Sequence, residues 1–246
     1  MTTHPGQHLL DLVDEQITAL LREPGTPYGL ARALRTTAKE LTIARHHAAS
    51  LHTWPDQRLD VTPRKVQIGG GSHRIDGFYN IDALPPADLV WDVREGIPLG
   101  DGSVEIMFSE HFLEHIDYPR SAKHYAREAH RVLADDGRLV TGVPDAAFVL
   151  ERYPNNTRLA EEMKRRWYAK RDCLDDFNTF LDLINYVFRD QDDSATYTPH
   201  LWAYDEEKLV QLFTEAGFRG VEPWPFDPAL AKPKRQWGSI YVIATK

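Results

Sequence analysis

The stretch from Val66 to Asp82, VQIGGGSHRIDGFYNID, sets Gly69, Gly70 and Gly71 directly after an apolar run and brings in the carboxylate of Asp82 soon afterwards. A strand ending in glycines exposes amide N–H groups that a ligand can approach closely, and an acid closing the next strand can accept hydrogen bonds from a ribose diol. The pattern therefore suits a nucleoside-containing cofactor, although glycine clusters also occur in plain turns. Dinucleotide sites place a full helix after the glycines and the acid roughly 20 residues on. Here Ser72 to Gly77 leaves room for little more than one helical turn, so a pyrophosphate cradle is poorly supported.

A second constellation is HFLEH, His111 to His115. Histidines at i and i+4 on one helix face can bind zinc with Glu114 as base, which gives a zinc hydrolase as one reading. Pro119, so soon after, argues against the long helix such a site needs. Asp145 in GVPD and His200 in PHLW add two further proton-handling groups. His115, Asp145 and His200 are the candidate general bases, and His115 can equally be a structural residue at a helix start. The acids Asp190, Asp192 and Asp193, with Asp182 on a polar helical stripe, offer hard oxygen ligands for Mg²⁺ or form a solvated face.

The elements that must position these groups are legible in the periodicity. Apolar residues recur at helical spacing from His8 to about Arg22, and a second helix is expected from Tyr28 to about Leu51. The pair can cap a site, join a second copy in a homodimer, or pack on the flank of a sheet. From Lys65 short apolar runs alternate with turns and helical patterns: KVQI, FYNI, DLVW, VEIMFS, a helix from Pro119 to about Leu133, then RLVTGV. This is the grammar of an α/β protein with a parallel sheet. A shortened helix is expected after the glycines, and ADDG before Arg138 reads as a turn with Gly137 at positive φ. Residues 145 to 198 interrupt the alternation with two helices, one over NTRLAEEMKRRWYAKRD and one over LDDFNTFLDLINYVF. A capped helix from Asp205 to Ala216 and the strands RGVEPW and GSIYVIAT complete the chain.

Four segments in order are similar to successive motifs of the class I S-adenosylmethionine (SAM) dependent methyltransferases: VQIGGGSHRIDGFYNID, ADLVWDVREGIPLGDGSVEIMFSEHFLEHI, REAHRVLADDGRLVTGVPD and HLWAYDEEKLVQLFTEAGF. The resemblance is to the compact, methyltransferase type 11-like branch and covers about Lys65 to Lys246. It implies a Rossmann-like seven-stranded sheet whose last strand is antiparallel, with residues 1–60 as a helical extension, 61–246 as the SAM-dependent domain and 145–200 as a cap over the acceptor. It also implies site roles. Gly69, Gly70 and Gly71 would lie beneath the methionine part, Asp82 on the ribose, Asp92 and Val93 on the adenine, and Ser109, Glu110 and His111 beside the sulfonium. Gln67 stands where the family often has an acid.

The resemblance points to a sugar or natural-product O-methyltransferase. Trp167, Tyr168, Trp202 and Tyr204 near polar groups suit a sugar, or simply pack the insertion. The rivals are N-methylation of an amino sugar, a nicotinamide-dependent oxidoreductase, the zinc hydrolase and a non-catalytic partner. A net charge of -8 disfavours nucleic acid, so the expected partner is a small hydroxylated acceptor. A single cysteine, Cys173, excludes an internal disulfide, and no apolar run approaches a membrane span. A cytoplasmic protein without a membrane partner is the expectation.

Overall fold

The structure, a computed structural model, describes residues 5–53, 63–154, 161–162, 165, 179–189 and 199–246. Two helices come first, α1 (Pro5–Arg22) and α2 (Tyr28–Thr53), and then the strands β1 (Lys65–Ile68), β2 (Tyr79–Asp82), β3 (Leu89–Val90) and β4 (Val104–Glu110). Helix α3 (Arg120–Val132) leads into β5 (Leu133–Pro144), and α4 (Ala146–Arg152), α5 (Phe180–Arg189) and α6 (Glu206–Glu215) precede β6 (Gly220–Pro223) and β7 (Ser239–Thr245). The seven strands form one sheet in the order β3-β2-β1-β4-β5-β7-β6. Strands β1 to β5 pair in parallel, and β7 runs antiparallel to both β5 and β6. The expected Rossmann-like sheet with an antiparallel last strand is what forms.

Both faces of the sheet are covered, which is why its strands read as apolar runs rather than as alternating ones. Met107 and Leu139 point to one face, where Tyr125, Ala126, Ala129, Leu209 and Phe213 of α3 and α6 pack. Their neighbours Phe108 and Val140 point to the other, against Ile75, Ala231 and Tyr241. Helix α3 presents Ala122, Tyr125, Ala126, Ala129 and Val132 at helical spacing, and its three alanines let the helix axis come close to the strands.

Two local expectations are corrected. No helix forms between β1 and β2; residues 69–78 carry turns alone. Side-chain hydrogen bonds replace the helix there. Gln67 Nε2 donates to the His73 carbonyl at 2.8 Å, and Gln67 Oε1 accepts from the Ile75 amide at 3.3 Å. The tetrapeptide ADDG lies inside β5 rather than before it. Val104 pairs with Leu133 and Ile106 with Arg138, so residues 134–137 bulge out where β4 advances only two positions. Asp136, not Gly137, takes the positive φ, at 61°.

Helices α1 and α2 are joined by Arg45, whose guanidinium contacts Asp11 and Asp14, each at 2.8 Å. Helix α2 then flanks the β3 edge: Ser50 Oγ donates to the Val90 carbonyl, and the Asp92 amide donates to His47 Nδ1 at 3.3 Å. Of the two helices expected after β5, the described part of the second is α5. Short α4 was not foreseen, and Trp167, Tyr168 and Cys173 lie outside the described residues.

Candidate active site

The strand order reverses between β1 and β4, and the loops leaving their carboxyl ends meet there. In open α/β sheets this is where ligands bind. Gly69 follows β1 at φ 66°, and a Cβ on it would come within 2.9 Å of the Phe112 ring. Gly70 allows a close approach of another kind: a Cβ there would sit 2.6 Å from Asn80 Oδ1 and 2.7 Å from Gln67 Nε2. The Gly70 amide donates to Asn80 Oδ1 at 3.2 Å. At Gly71, φ 55°, a Cβ would meet nothing within 4 Å, so the main chain is bare on that side.

Asp82 closes β2 and ties the glycine turn to it. Its Oδ2 accepts from the Gly71 amide at 2.8 Å and its Oδ1 from the Leu84 amide at 3.0 Å. Burial pushes its carboxyl above the ordinary range, against the amides of Leu84, Gly71 and Ala83 that favour the anion. Three amides leave one of the carboxylate's roughly four lone-pair sites for a diol hydroxyl. The bare Gly71 side and the Asp82 acceptor are compatible with the contacts that the resemblance implies, main chain beneath the methionine part and carboxylate on the ribose.

At the adenine end, Asp92 is already engaged within the chain. Asp92 caps a 3₁₀ turn over Val93–Glu95, accepting from the Arg94 amide at 3.0 Å. Both of its oxygens also receive the Arg94 side chain, at 2.8–3.0 Å, and Arg94 reaches on to Glu40 of α2 at 2.8 Å. A carboxylate so engaged has little left for an exocyclic amine. Val93, at the first position of the turn, is buried.

The residues after β4 are also engaged. Ser109 Oγ bonds Thr141 Oγ1 at 3.1 Å. The buried Glu110 carboxylate accepts from Tyr241 Oη at 2.8 Å, Arg235 at 2.8 Å and the Lys232 amide at 3.1 Å, which fastens the loop before β7 to the sheet. His111 stands at φ 52°, unusual for a non-glycine residue. Its Nε2 lies 2.8 Å from Ser239 Oγ and its Nδ1 lies 3.4 Å from Glu114 Oε1. Burial, with Arg235 next in effect, drives its pKa well below the ordinary imidazole value, so His111 is neutral near pH 7.

Leu113–His115 form a 3₁₀ turn, so His111 and His115 do not share the helix face that the zinc-hydrolase reading required. The turn instead sends Glu114 inward. Its carbonyl accepts from the Leu201 amide at 2.7 Å, which draws His200 against it. The His115 and His200 rings lie 4.8 Å apart, edge to face, and burial lowers the His200 pKa below the ordinary value. Glu114 is almost fully buried, and its partner His200, 86 positions on, leaves no local signal in the sequence beside HFLEH.

Asp145 follows β5, with its amide bonded to the Gly238 carbonyl at 3.0 Å and the next amide, of Ala146, bonded to Tyr204 at 2.9 Å. Its Oδ1 is buried without a hydrogen-bond partner, and burial raises its pKa. Asp182 accepts from the Thr179 amide at 2.8 Å and hydroxyl at 2.7 Å, at the start of its own helix. Asp190, Asp192 and Asp193, the other acids considered for Mg²⁺, lie outside the described residues. No helix is long and apolar enough to cross a membrane among the described residues.

Residues 81–141, from the end of β2 into β5, match the methyltransferase domain family. No curated protein matches the chain. Among solved structures it is similar to a SAM-dependent methyltransferase from Thermotoga maritima, at 17% identity over 83% of this chain and 91% of that one, with a TM-score of 0.43. A SAM-dependent methyltransferase from Methanosarcina mazei aligns at 15% identity, 78% and 96% coverage and a TM-score of 0.45. One from Mesorhizobium loti aligns at 14%, 79% and 97%, and 0.41. The matched residues 81–141 lie within a seven-stranded sheet of the order that the resemblance to class I SAM-dependent methyltransferases implies, with the bare glycine turn beside Asp82 at its switch point.

Proposed function

We propose that the protein transfers a methyl group from SAM to a hydroxyl of a small polar metabolite, with a mono- or oligosaccharide as the acceptor class. SAM supplies an electrophilic methyl group on a sulfonium that is its own leaving group. The chain then has to hold the donor, align the acceptor oxygen and take its proton. Gly69, Gly70, Gly71 and Asp82 would hold the donor, with Val93 on the adenine through its main chain. Ser109, Glu110 and His111 shape the floor after β4.

The observation that carries the choice of oxygen over nitrogen is Asp145. An alcohol is a poor nucleophile and needs a base at the moment of transfer, whereas an amine needs only to be neutral. Asp145 offers a carboxylate oxygen with no hydrogen-bond partner and a proton affinity raised by burial, at the carboxyl end of β5. His115 and His200 are the alternative proton acceptors. Trp202 supports a sugar acceptor: it is 40% exposed while stacked on Tyr118 at 4.9 Å, so one indole face is backed and the residue remains open to solvent.

Isotope-labelled SAM with hydroxylated and aminated sugars, assayed with and without Mg²⁺, tests the reading. Label on hydroxylated sugars is the expected result. Label confined to amino groups would replace O- by N-methylation. Failure of S-adenosylhomocysteine to bind, with NADH binding in its place, would overturn the methyltransferase reading itself.

A further inference from the structure

The 3₁₀ turn after β4 and the segment after α5 bring three ligand-type side chains together. Glu114 is 1% exposed and His200 6% exposed. One donor atom from each of Glu114, His115 and His200 lies within 4.8 Å of the other two, and His200 Nε2 stands 3.9 Å from Glu114 Oε1. The His200 ring is oriented from behind. Its Nδ1 lies 2.9 Å from the Val187 carbonyl oxygen, which only accepts, so the proton sits on Nδ1. A neutral ring then turns its Nε2 lone pair toward the carboxylate. His111 Nδ1 lies 3.4 Å from the same carboxylate oxygen, and His111 is itself held by Ser239. Metal-binding histidines commonly have this arrangement, with the far ring nitrogen bonded to a carbonyl and the ligating carboxylate bonded in turn.

We propose that Glu114, His115 and His200 form a site for one divalent first-row transition-metal ion, bound by a carboxylate oxygen and two imidazole nitrogens. Two imidazoles with one carboxylate favour zinc, iron or manganese over magnesium, which prefers oxygen. Ligands at ordinary bond lengths in a tetrahedral site stand about 3.4 Å apart, so binding requires the donor atoms to close by up to about 1.4 Å. Three protein ligands leave coordination positions open for an acceptor. The site differs from the inverted zinc-protease pattern: Glu114 is a ligand rather than the base, and His111 is a support rather than a ligand.

The role of the ion rests on the methyl-transfer reading, while its binding does not. The acceptor hydroxyl coordinates the ion and its pKa falls. Its proton passes to Asp145, the oxygen lone pair forms the new O–C bond, and the C–S bond breaks to leave neutral S-adenosylhomocysteine.

The test uses the full chain stripped with chelator and titrated with Zn²⁺, Co²⁺, Mn²⁺ and Mg²⁺. Expected are one Zn²⁺ or Co²⁺ per chain, a visible Co²⁺ spectrum, and weaker Mg²⁺ binding. Zn²⁺ affinity should fall at least about 100-fold in His115→Ala and Glu114→Gln, and about 10- to 100-fold in His111→Asn. His115 is partly exposed, so its variant keeps the test open should the Glu114 variant misfold, as melting curves will show. No stoichiometric binding of any of the four ions to the wild-type chain overturns the proposal. Zn²⁺ binding undiminished in His115→Ala and His200→Ala overturns it as well. S-adenosylhomocysteine affinity is measured on the same samples: its retention without metal binding sinks this site alone, and its absence sinks the donor reading instead.

Discussion

Gln67 grips the loop at His73: its side-chain Nε2 donates to the His73 carbonyl at 2.8 Å, while its Oε1 accepts from Ile75 at 3.3 Å. Both ends of a buried amide are thus used to fold the short β1–β2 connection. A carboxylate can accept but not donate, so Gln67→Glu sets an anion against the His73 carbonyl. The variant is expected to lose about 1–3 kcal/mol of stability by urea unfolding, the penalty for a buried polar group left without its partner. S-adenosylhomocysteine affinity should fall with it, because the same loop carries Gly71. Tighter binding in this variant would mean that position 67 faces the donor's ammonium group after all.

Asp82 predicts an acid limit on donor binding. Burial raises its folded-state pKa above the ordinary 3.8, so at neutral pH its charge costs stability, a cost relieved as pH falls through the folded pKa. Binding runs the other way. A ribose diol donates to the carboxylate, so affinity should be full above that raised pKa and fall by up to about tenfold per pH unit below it. Calorimetric titration with S-adenosylhomocysteine, carried from neutral pH down into the ordinary carboxylate range, reads this fall. Asp82→Asn should bind weakly and without that slope. A flat wild-type profile would show that another group holds the ribose.

The sheet was legible in the sequence because burial on both faces writes each strand as a continuous apolar run between turn residues. KVQI matches β1 residue for residue. The parts that were missed depend on partners distant in sequence. ADDG looks like a chain reversal, and only the pairing of Val104 with Leu133 and Ile106 with Arg138 shows that the strand continues through it as a bulge. Asp92 is spaced either to meet a base or to cap the turn at DVREG, and the sequence says nothing of Arg94 folding back onto it, nor of Glu40 arriving from α2. HFLEH suggested a helical face. Its actual geometry, a 3₁₀ turn, follows from the reversal at His111 and the tether from Leu201 to Glu114.

Gly142 near the carboxyl end of β5 tests the support of Glu110. A Cβ there would lie 2.2 Å from the Tyr241 ring, a contact relieved only by moving the ring or the strand. Tyr241 Oη also holds Glu110 at 2.8 Å, so displacement of the ring breaks that bond. Gly142→Ala is expected to destabilise by about 1–3 kcal/mol, the usual range for overpacking a core. Tyr241→Phe should remove the hydrogen bond without the clash. Thermal melts that rank the two variants in the opposite order would show that the hydroxyl, not the space, governs this position.

The pair Asp92 and Arg94 decides how the adenine is read. The two side chains are only 10% and 21% exposed, so removing one partner leaves a largely buried charge. Arg94→Met is expected to lose roughly 3 kcal/mol or more, and Asp92→Asn combined with Arg94→Met to recover much of it. Both Asp92 oxygens are already held, so Asp92→Asn should weaken S-adenosylhomocysteine binding far less than Asp82→Asn does. The adenine contact then falls to the main chain at Val93. Should Asp92→Asn prove the costlier of the two in the same titration, the carboxylate must leave Arg94 when the donor arrives. The link from Arg94 to Glu40 would then open as well, and α2 would shift with donor binding, a change that hydrogen exchange across residues 40–53 would register.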